Sequence, residues 1–284
     1  MLASAPAATG TEPTARLSSI LARRIEDGSL DLPVLAEAAQ RVMRMALDDT
    51  ADAGALAEAI KKDSAMASHL LRVANSPLYR GRAPIVSLQQ AVSRLGMRQV
   101  REIALAIVCE SRVFRVRGYE DDLRALFRHS LAAAYFAQEI ARVKRANVEE
   151  AFLAGLLHDI GRPVLLQTLV DLGRELGERF SREAVLAAVE AHHALAGESL
   201  VTRWELGAKL AAAVRDHHAP AGAGLAALSG LADALAHHAV GPRTVGAEDV
   251  ISGPWAATLN VYPDELAGLV GAVEKIRAAV QAVQ

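Results

Sequence analysis

Apolar residues recur at intervals of three and four along most of the chain, a spacing typical of α-helices. From about Leu17 to Cys109 the periodic runs are short, because glycine, proline and asparagine residues that end helices interrupt them. This part of the chain is therefore predicted to form several short helices. The interruptions are Gly28, Pro33, the Asn75-Ser76-Pro77 stop and the loop around Gly81 and Pro84.

Longer periodic runs follow Gly118. The acidic cluster Glu120-Asp121-Asp122 favours a helix N-terminus, where carboxylates interact favourably with the helix dipole. A region of longer helices is predicted from here to about His238. The predicted helices span residues 121–143, 148–158, 164–179, 182–195, 198–204, 207–217 and 225–238.

The segment that follows Pro263 carries its large apolar residues along one stripe of a predicted helical tail. We interpret this stripe as a surface that packs back on the body of the protein, with dimerisation through it as the alternative. The stripe consists of Leu266, Leu269, Val270, Val273, Ile276 and Val280.

Composition supports an all-α fold. Hydrophobic residues make up 52% of the 284 residues, but aromatic residues only 4%, and alanine is frequent, which favours closely packed helices over a sheet. The single cysteine, Cys109, excludes an internal disulfide and suits a reducing compartment. No run approaches 18 consecutive apolar residues. We therefore expect a cytoplasmic protein without a membrane span and with a flexible N-terminus over residues 1–16.

The formal net charge of -2 gives no general attraction to nucleic acid or anionic lipid, so neither is an expected partner. The stretch from Lys61 to Arg117 is nevertheless basic, with eleven Lys or Arg against three Asp or Glu. Arg94, Arg98 and Arg101 would share one helix face if Gly96 lay inside that helix. We interpret the stretch as a solvated face. A docking surface for an acidic partner or a nucleotide is the alternative.

Histidine is distributed unevenly along the chain. Of nine histidines, eight fall between His129 and His238, several beside carboxylates or in adjacent pairs. Imidazole nitrogens and carboxylate oxygens are ligands for zinc, iron and manganese, and helical bundles build such sites from several helices. The competing interpretation is a metal-free core in which hydrogen bonds satisfy each buried imidazole. Motifs of other enzyme classes, such as CxxC, a glycine-rich phosphate loop and GxSxG, are absent from the sequence.

The order His129, then His158-Asp159 at the end of an apolar helix, then Asp233 resembles the signature of the HD superfamily of metal-dependent phosphohydrolases. His193 and the His217-His218 pair are similar to the additional ligands of the HD-GYP branch, which assembles two or more metals.

A second resemblance covers about residues 17 to 240. The segments LDLPVLAEAAQRVMRMALDD, LAEAIKKDSAMASHLLRVANSPLYRG and IVSLQQAVSRLGMRQVREIAL resemble the N-terminal half of the HDOD family, the HD-related output domains of bacterial signalling. HALAGESLVTRWELGAKLAAAVRDHHAP, followed by LADALA, is similar to its second half. The resemblance implies a helical N-terminal lobe (residues 17–125) packed on an HD-like bundle (126–240), with residues 241–284 as a C-terminal extension that ends in a helix.

The HDOD resemblance implies a regulatory module of signal transduction that acts by binding a signalling protein or a nucleotide. The alternative is a metal-dependent phosphohydrolase, a phosphodiesterase or nucleotidase, with a dinuclear site. Carried over residue by residue, the resemblance to the HD superfamily and its HD-GYP branch implies one or two divalent ions such as Fe, Mn or Zn. The implied ligands are His129, His158, Asp159, His193, His217, His218 and Asp233.

The sequence differs from the HD-GYP branch at two places that matter for catalysis. In the HD-GYP branch a lysine that helps to hold phosphate follows the HD pair, and Arg162 stands at that place here. Arginine keeps the charge but differs in geometry and hydration. The segment APAGAGLAALSG that follows His218 contains no GYP motif. If the protein is an enzyme, Asp159 would bridge two ions and Arg162 would orient the substrate, and these two are the catalytic candidates.

The remaining histidines match no position of either family. We interpret His192, His237 and His238 as exposed residues at helix ends, although His237 follows Asp233 by four residues and shares its helix face. His69, in the N-terminal region, is expected to be structural.

Overall fold

The computed structural model describes residues 11–35, 37–46, 52–79, 81, 83–111, 116–219, 223–241 and 246–283. These residues form sixteen α-helices and no strand, which confirms the all-α prediction. A single cluster of buried apolar side chains extends from Leu17 in the first helix to Val283 in the last. The N-terminal lobe and the HD-like bundle therefore share one continuous core.

The first helix, α1 (Thr11–Glu26), begins inside the segment that the sequence assigns to a flexible N-terminus. Residues 11–16 are helical because α1 is amphipathic and buries Leu17 and Leu21. Residues 1–10 lie outside the described part of the chain. Helix α1 packs on a helix of the HD-like bundle that spans Arg182–Arg203. The first helix of the chain therefore contacts the bundle that the later helices form.

The rest of the N-terminal lobe consists of short helices, as predicted. Ser87 caps one of them by accepting a hydrogen bond from the Gln90 backbone. The Asn75 side chain ties the end of the preceding helix to the segment before Ser87 by bonding both backbone groups of Ile85. The helices are α2 (Glu37–Ala46), α3 (Ala53–Lys61), α4 (Ser64–Ala74), α5 (Leu88–Leu95) and α6 (Met97–Ser111).

Gly96 separates α5 from α6, so the condition for a shared arginine face is not met. Its φ of 83° lies in the left-handed region, which glycine adopts without steric cost and which ends α5. Arg94 therefore lies on a different helix from Arg98 and Arg101. Arg94 donates to the backbone carbonyl of Ala83, so the three arginines do not form one helix face.

The HD-like bundle largely follows the predicted helices, with one correction. The two helices predicted over 182–195 and 198–204 are a single helix. Gly197 does not break it, since a Cβ at Gly197 would lie 2.7 Å from Val214 Cγ1. This glycine therefore permits close packing of two helices. The bundle consists of α7 (Glu120–Lys144), α8 (Val148–Leu157), α9 (Gly161–Leu176), α10 (Arg182–Arg203), α11 (Ala208–Asp216) and α12 (Leu225–Val240).

The C-terminal extension packs on the body of the protein, as predicted. It forms α13 (Ala247–Ile251), α14 (Pro254–Thr258), α15 (Pro263–Gly271) and α16 (Val273–Val283), and both of the last two contact α7. Of the apolar stripe, only Val270 is more than slightly exposed. His69 Nε2 lies 3.0 Å from the carbonyl oxygen of Val283, to which it donates. His69 thus ties the N-terminal lobe to the last helix, which is a structural role.

None of the helices in the described residues combines the length and the apolar character that crossing a membrane requires.

Candidate metal centre

The bundle brings the predicted ligands from five helices to one place. His129 lies on α7, and His158 and Asp159 form the turn that joins α8 to α9. His193 lies in α10, His217 and His218 directly follow α11, and Asp233 lies on α12. All seven predicted ligands belong to groups of side chains whose donor atoms could hold a metal ion.

Three of these imidazoles have a fixed orientation. His158 Nδ1 lies 2.8 Å from the Gly155 carbonyl oxygen, and His217 Nδ1 lies 2.6 Å from that of Val214. Both acceptors belong to the last turn of a helix, where carbonyls have no partner within the helix. His193 Nδ1 donates in the same way to the Glu190 carbonyl, at 2.7 Å. Because a carbonyl only accepts, each Nδ1 carries the proton, and each Nε2 is left for the interior.

One group, which we name the inner cluster, comprises Asp159, His193, His217 and His218. Asp159 Oδ1 lies 3.2 Å from His193 Nε2 and 3.8 Å from His217 Nε2. His193 Nε2 also lies 3.0 Å from His218 Nε2 and 3.4 Å from His217 Nε2. Nitrogens of neutral rings at this distance direct lone pairs at each other unless a proton or a cation lies between them. The inner cluster therefore has the donor set of a metal site.

A second group, the outer cluster, comprises His129, Asp233 and His237. Asp233 Oδ1 lies 2.8 Å from His129 Nε2 and 3.3 Å from His237 Nε2. The rings of His129 and His237 lie 4.3 Å apart between centroids. His237 lies in the last turn of α12 and is half-exposed, as interpreted from the sequence, but it also contacts Asp233. Its position four residues after Asp233 was the sequence signal for this contact.

His158 lies between the two clusters. Its Nε2 is 3.5 Å from Asp159 Oδ2 and 3.6 Å from Asp233 Oδ1. The ring is fully buried, and among the described residues Nε2 has no hydrogen-bond partner. A buried polar atom without a partner is costly. A bound cation would supply the missing interaction.

Arg162 is paired with two carboxylates. Its Nε lies 2.8 Å from Asp159 Oδ2. Its two terminal nitrogens both contact the carboxylate of Glu190, a residue that the sequence gave no reason to select. Arg162 thus holds Asp159 in place, and an anionic ligand that approaches the guanidinium competes with Glu190.

Burial and neighbouring charges shift the pKa values of several groups in the candidate metal centre. Burial lowers the pKa of His158, but the Asp159 and Asp233 carboxylates outweigh this effect and raise the pKa to about 9. Burial and the nearby charge of His158 lower the pKa of His217 to about 3. Although burial opposes it, His158 and Arg162 hold the pKa of Asp159 well below its usual range. Without a metal, a protonated His158 thus partly neutralises two carboxylates, and metal binding would displace its proton.

Close helix packing sets the position of Asp159 relative to His193. Asp159 immediately precedes α9, and a Cβ at Gly161 would lie 2.0 Å from the backbone oxygen of His193 and 2.5 Å from the Gly197 nitrogen. Only glycine at position 161 allows α9 and α10 to approach this closely. This approach brings the Asp159 carboxylate within reach of the His193 ring.

His192 and His238 remain outside the candidate centre. Among the described residues, no group of potential metal ligands includes either of them. Both are partly exposed, and His192 lies well inside α10, so it is not a helix-end residue.

Comparisons with known proteins agree with this architecture. The HDOD domain family matches residues 32–220. An uncharacterized protein of Treponema pallidum (strain Nichols) is 25% identical over 201 residues, which are 68% of this chain and 38% of that protein. The chain thus spans well under half the length of this curated relative.

Two solved structures have the same fold. The first, from Shewanella amazonensis SB2B, is provisionally described as a metal-dependent phosphohydrolase. It has a TM-score of 0.69 and 22% identity, over 95% of this chain and 99% of that chain. The second, from Marinobacter aquaeolei VT8, is provisionally described as a signal transduction protein. It has a TM-score of 0.67 and 23% identity, over 96% of this chain and 66% of that chain.

Proposed function

The chain belongs to the HDOD family, and from this premise we propose that it is a signal-transduction module whose HD-like bundle holds divalent metal. In this proposal it acts by binding a signalling protein or a nucleotide, and the metal has a structural or sensory role. The ligands are the seven predicted residues of the two clusters and the turn between them.

One observation carries the metal site: several imidazole Nε2 atoms converge on buried carboxylate oxygens, and backbone carbonyls fix the Nδ1 proton of three of the rings. A hydrogen-bonded core without metal would need a donor for each of these acceptors. His193 Nε2 lies 3.2 Å from Asp159 Oδ1 and 3.0 Å from His218 Nε2, so one ring nitrogen whose own proton is on Nδ1 faces a carboxylate and a second imidazole. This arrangement is that of ligands around a cation.

The ion pairs that Arg162 forms within the protein favour a binding role over hydrolysis. A phosphohydrolase needs cationic groups that are free to contact the phosphoryl oxygens. Arg162 is already paired with Asp159 and Glu190. Its guanidinium is therefore satisfied within the protein, and its role in this proposal is to position Asp159.

A phosphohydrolase is the second candidate, and the exposure of two ligands favours it. His218 is exposed, and the His237 side chain is 44% exposed, so the two clusters are open to solvent on one side. A pair of divalent ions would supply a metal-bound water of lowered pKa there. Asp159 and Asp233 would hold those ions, and Arg162 would contact the substrate only after releasing Glu190.

Two measurements on the full chain test the proposal. Elemental analysis of protein purified without chelator or nickel affinity resin should find metal at one or two ions per chain. Phosphodiester and nucleotide substrates should not turn over. Protein without metal would contradict the metal site and leave the hydrogen-bonded core. Turnover that is lost in Asp159→Ala would establish the phosphohydrolase instead.

The partner and the location of the protein are part of the same proposal. We place it in the cytoplasm, where Cys109 stays reduced; burial raises the pKa of this thiol to about 12. A nucleotide should be detectable by direct binding to the metal-loaded chain. Sedimentation of the same sample should show whether the chain also forms a homodimer.

A further inference from the structure

We propose that His237 is a metal ligand, and that it completes a second ion-binding subsite formed by the outer cluster. This inference rests on the proposed function, because it assumes that the bundle holds metal. It adds a ligand that the sequence resemblance does not supply. It also assigns different roles to the two clusters.

The geometry around Asp233 supports a subsite of its own. Three imidazole Nε2 atoms surround the single oxygen Oδ1, at 2.8 Å for His129, 3.3 Å for His237 and 3.6 Å for His158. One carboxylate oxygen does not need three imidazoles as hydrogen-bond donors. Nitrogen donors grouped around an acidic oxygen suit Zn²⁺, Fe²⁺ or Mn²⁺.

A second observation points to a ligand at the same place. His158 is fully buried, and its Nε2, which lies 3.6 Å from Asp233 Oδ1, has no hydrogen-bond partner among the described residues. A cation bound to this nitrogen would compensate for its desolvation.

Helix α12 provides both Asp233 and His237. Residues four apart lie one above the other on the same helix face, so the two side chains meet at the rim of the bundle. The neighbouring residue His238, on the same helix, belongs to no group of potential metal ligands among the described residues. Position 237 thus supplies a donor that position 238 cannot.

The outer cluster brings three donors together, one of them half-exposed, and the further nitrogen near Asp233, that of His158, also faces Asp159 of the inner cluster. Coordination positions in the outer subsite therefore remain open toward solvent, as in catalytic metal sites. The inner cluster offers four donors. The inner ion is therefore expected to be the tightly held one, and the outer ion the one that exchanges.

Titration of the chelator-stripped full chain with Co²⁺, followed by calorimetry and by visible absorption, tests this inference. The wild type should bind two ions of unequal affinity. His237→Gln should keep the tight ion and weaken the second at least about 10-fold, an effect as large as that of losing a supporting residue in other metal sites. His238→Gln, on the same helix, should match the wild type. His237→Glu restores a metal-binding side chain and should recover the second ion.

The possible results of the Co²⁺ titration have different consequences for His237, for the second subsite and for the proposed function. A His237→Gln chain that binds the second Co²⁺ with wild-type affinity overturns the role of His237. A wild type that binds one ion, unchanged in His237→Gln, overturns the second subsite but leaves the proposed metal-binding module intact. A wild type that binds no Co²⁺ overturns the proposed function itself. Circular dichroism of each variant should coincide with that of the wild type, since His237 is half-exposed.

Discussion

The inner and outer clusters contain the same kinds of ligand, but the protein supports them differently. In the inner cluster, His193 and His217 are 1% and 0% exposed, and a backbone carbonyl fixes each Nδ1. In the outer cluster, His237 is half-exposed and its ring contacts that of His129. His193 and His217 are therefore oriented before any metal binds, whereas the half-exposed His237 can adjust.

Support of the ligands by the surrounding protein should influence metal affinity in a helical bundle. Each of the three oriented rings bonds a carbonyl three residues earlier in its own chain segment, whether the helix ends there, as for His158 and His217, or continues, as for His193. In the outer cluster, His129 Nδ1 has no such partner among the described residues. Affinity should consequently follow the support of the ligand as well as its chemical type.

The largest expected effect comes from Asp159, whose carboxylate contacts both the inner cluster and His158. Asp159→Asn should lower affinity for the tight ion more than about 100-fold, since loss of a ligand exceeds the 10- to 100-fold effect of losing a supporting residue. Elemental analysis after dialysis measures this loss. Asp171→Asn, on the exposed side of α9, is the control and should retain full metal content.

Gly161→Ala should separate the helices that form the inner cluster. The added methyl would lie 2.0 Å from the His193 backbone oxygen, and such overpacking costs about 1–3 kcal/mol. Thermal melts should show a lower Tm, and the tight ion should be lost. The control is Gly268→Ala in α15, where a Cβ would meet no atom within 4 Å; its stability should be unchanged or higher. An unchanged Tm in Gly161→Ala would show that α9 and α10 can separate without cost.

The pH dependence of stability should distinguish the metal-free from the loaded protein. The pKa of His158 is raised to about 9, above the value of about 6.5 in the unfolded chain. Its contribution to the free energy of unfolding is therefore fully present below about pH 6.5 and is lost as the pH rises toward 9. The pKa of His217 is lowered to about 3. The unfolded chain therefore takes up a proton that the folded chain does not, and stability also falls as pH drops below about 6.5.

Metal-free protein should accordingly be most stable near pH 6.5, as measured by urea unfolding in the presence of chelator. With metal bound, the ion replaces the proton of His158, and affinity should rise with pH through the imidazole range. A metal-loaded protein that loses stability between pH 7 and pH 9 just as the chelated protein does would contradict this exchange of proton for metal.

The smallest expected effect is that of Glu190→Gln. The Glu190 side chain is 61% exposed and pairs with Arg162 at the border of the inner cluster. Pairs this exposed contribute about 0.2–1 kcal/mol, so affinity for the tight ion should change by a few-fold at most. Calorimetric titration with Co²⁺ measures this change. A loss as large as that in Asp159→Asn would instead make Glu190 a principal support of the site.

Sequence reasoning identified most of the candidate centre because histidine and aspartate are rare in apolar helices and stand out there. It did not select His237 or Glu190, since solvated helix faces also contain such residues. It likewise split α10 at Gly197 and left open whether a helix continues through Gly96. A glycine can break a helix or allow close packing, and only the neighbouring atoms decide between the two.

Periodicity and composition, which are local properties, were sufficient to predict the all-α fold and the region that contains the bundle, and the family resemblance supplied the seven predicted ligands. Which of these ligands meet, that Arg162 is paired with Glu190 and that His237 contacts Asp233 could be learned only from the folded chain. These facts depend on how closely α7, α8, α9, α10 and α12 approach one another. That approach is set by packing between residues far apart in the chain, such as Gly161 against Gly197.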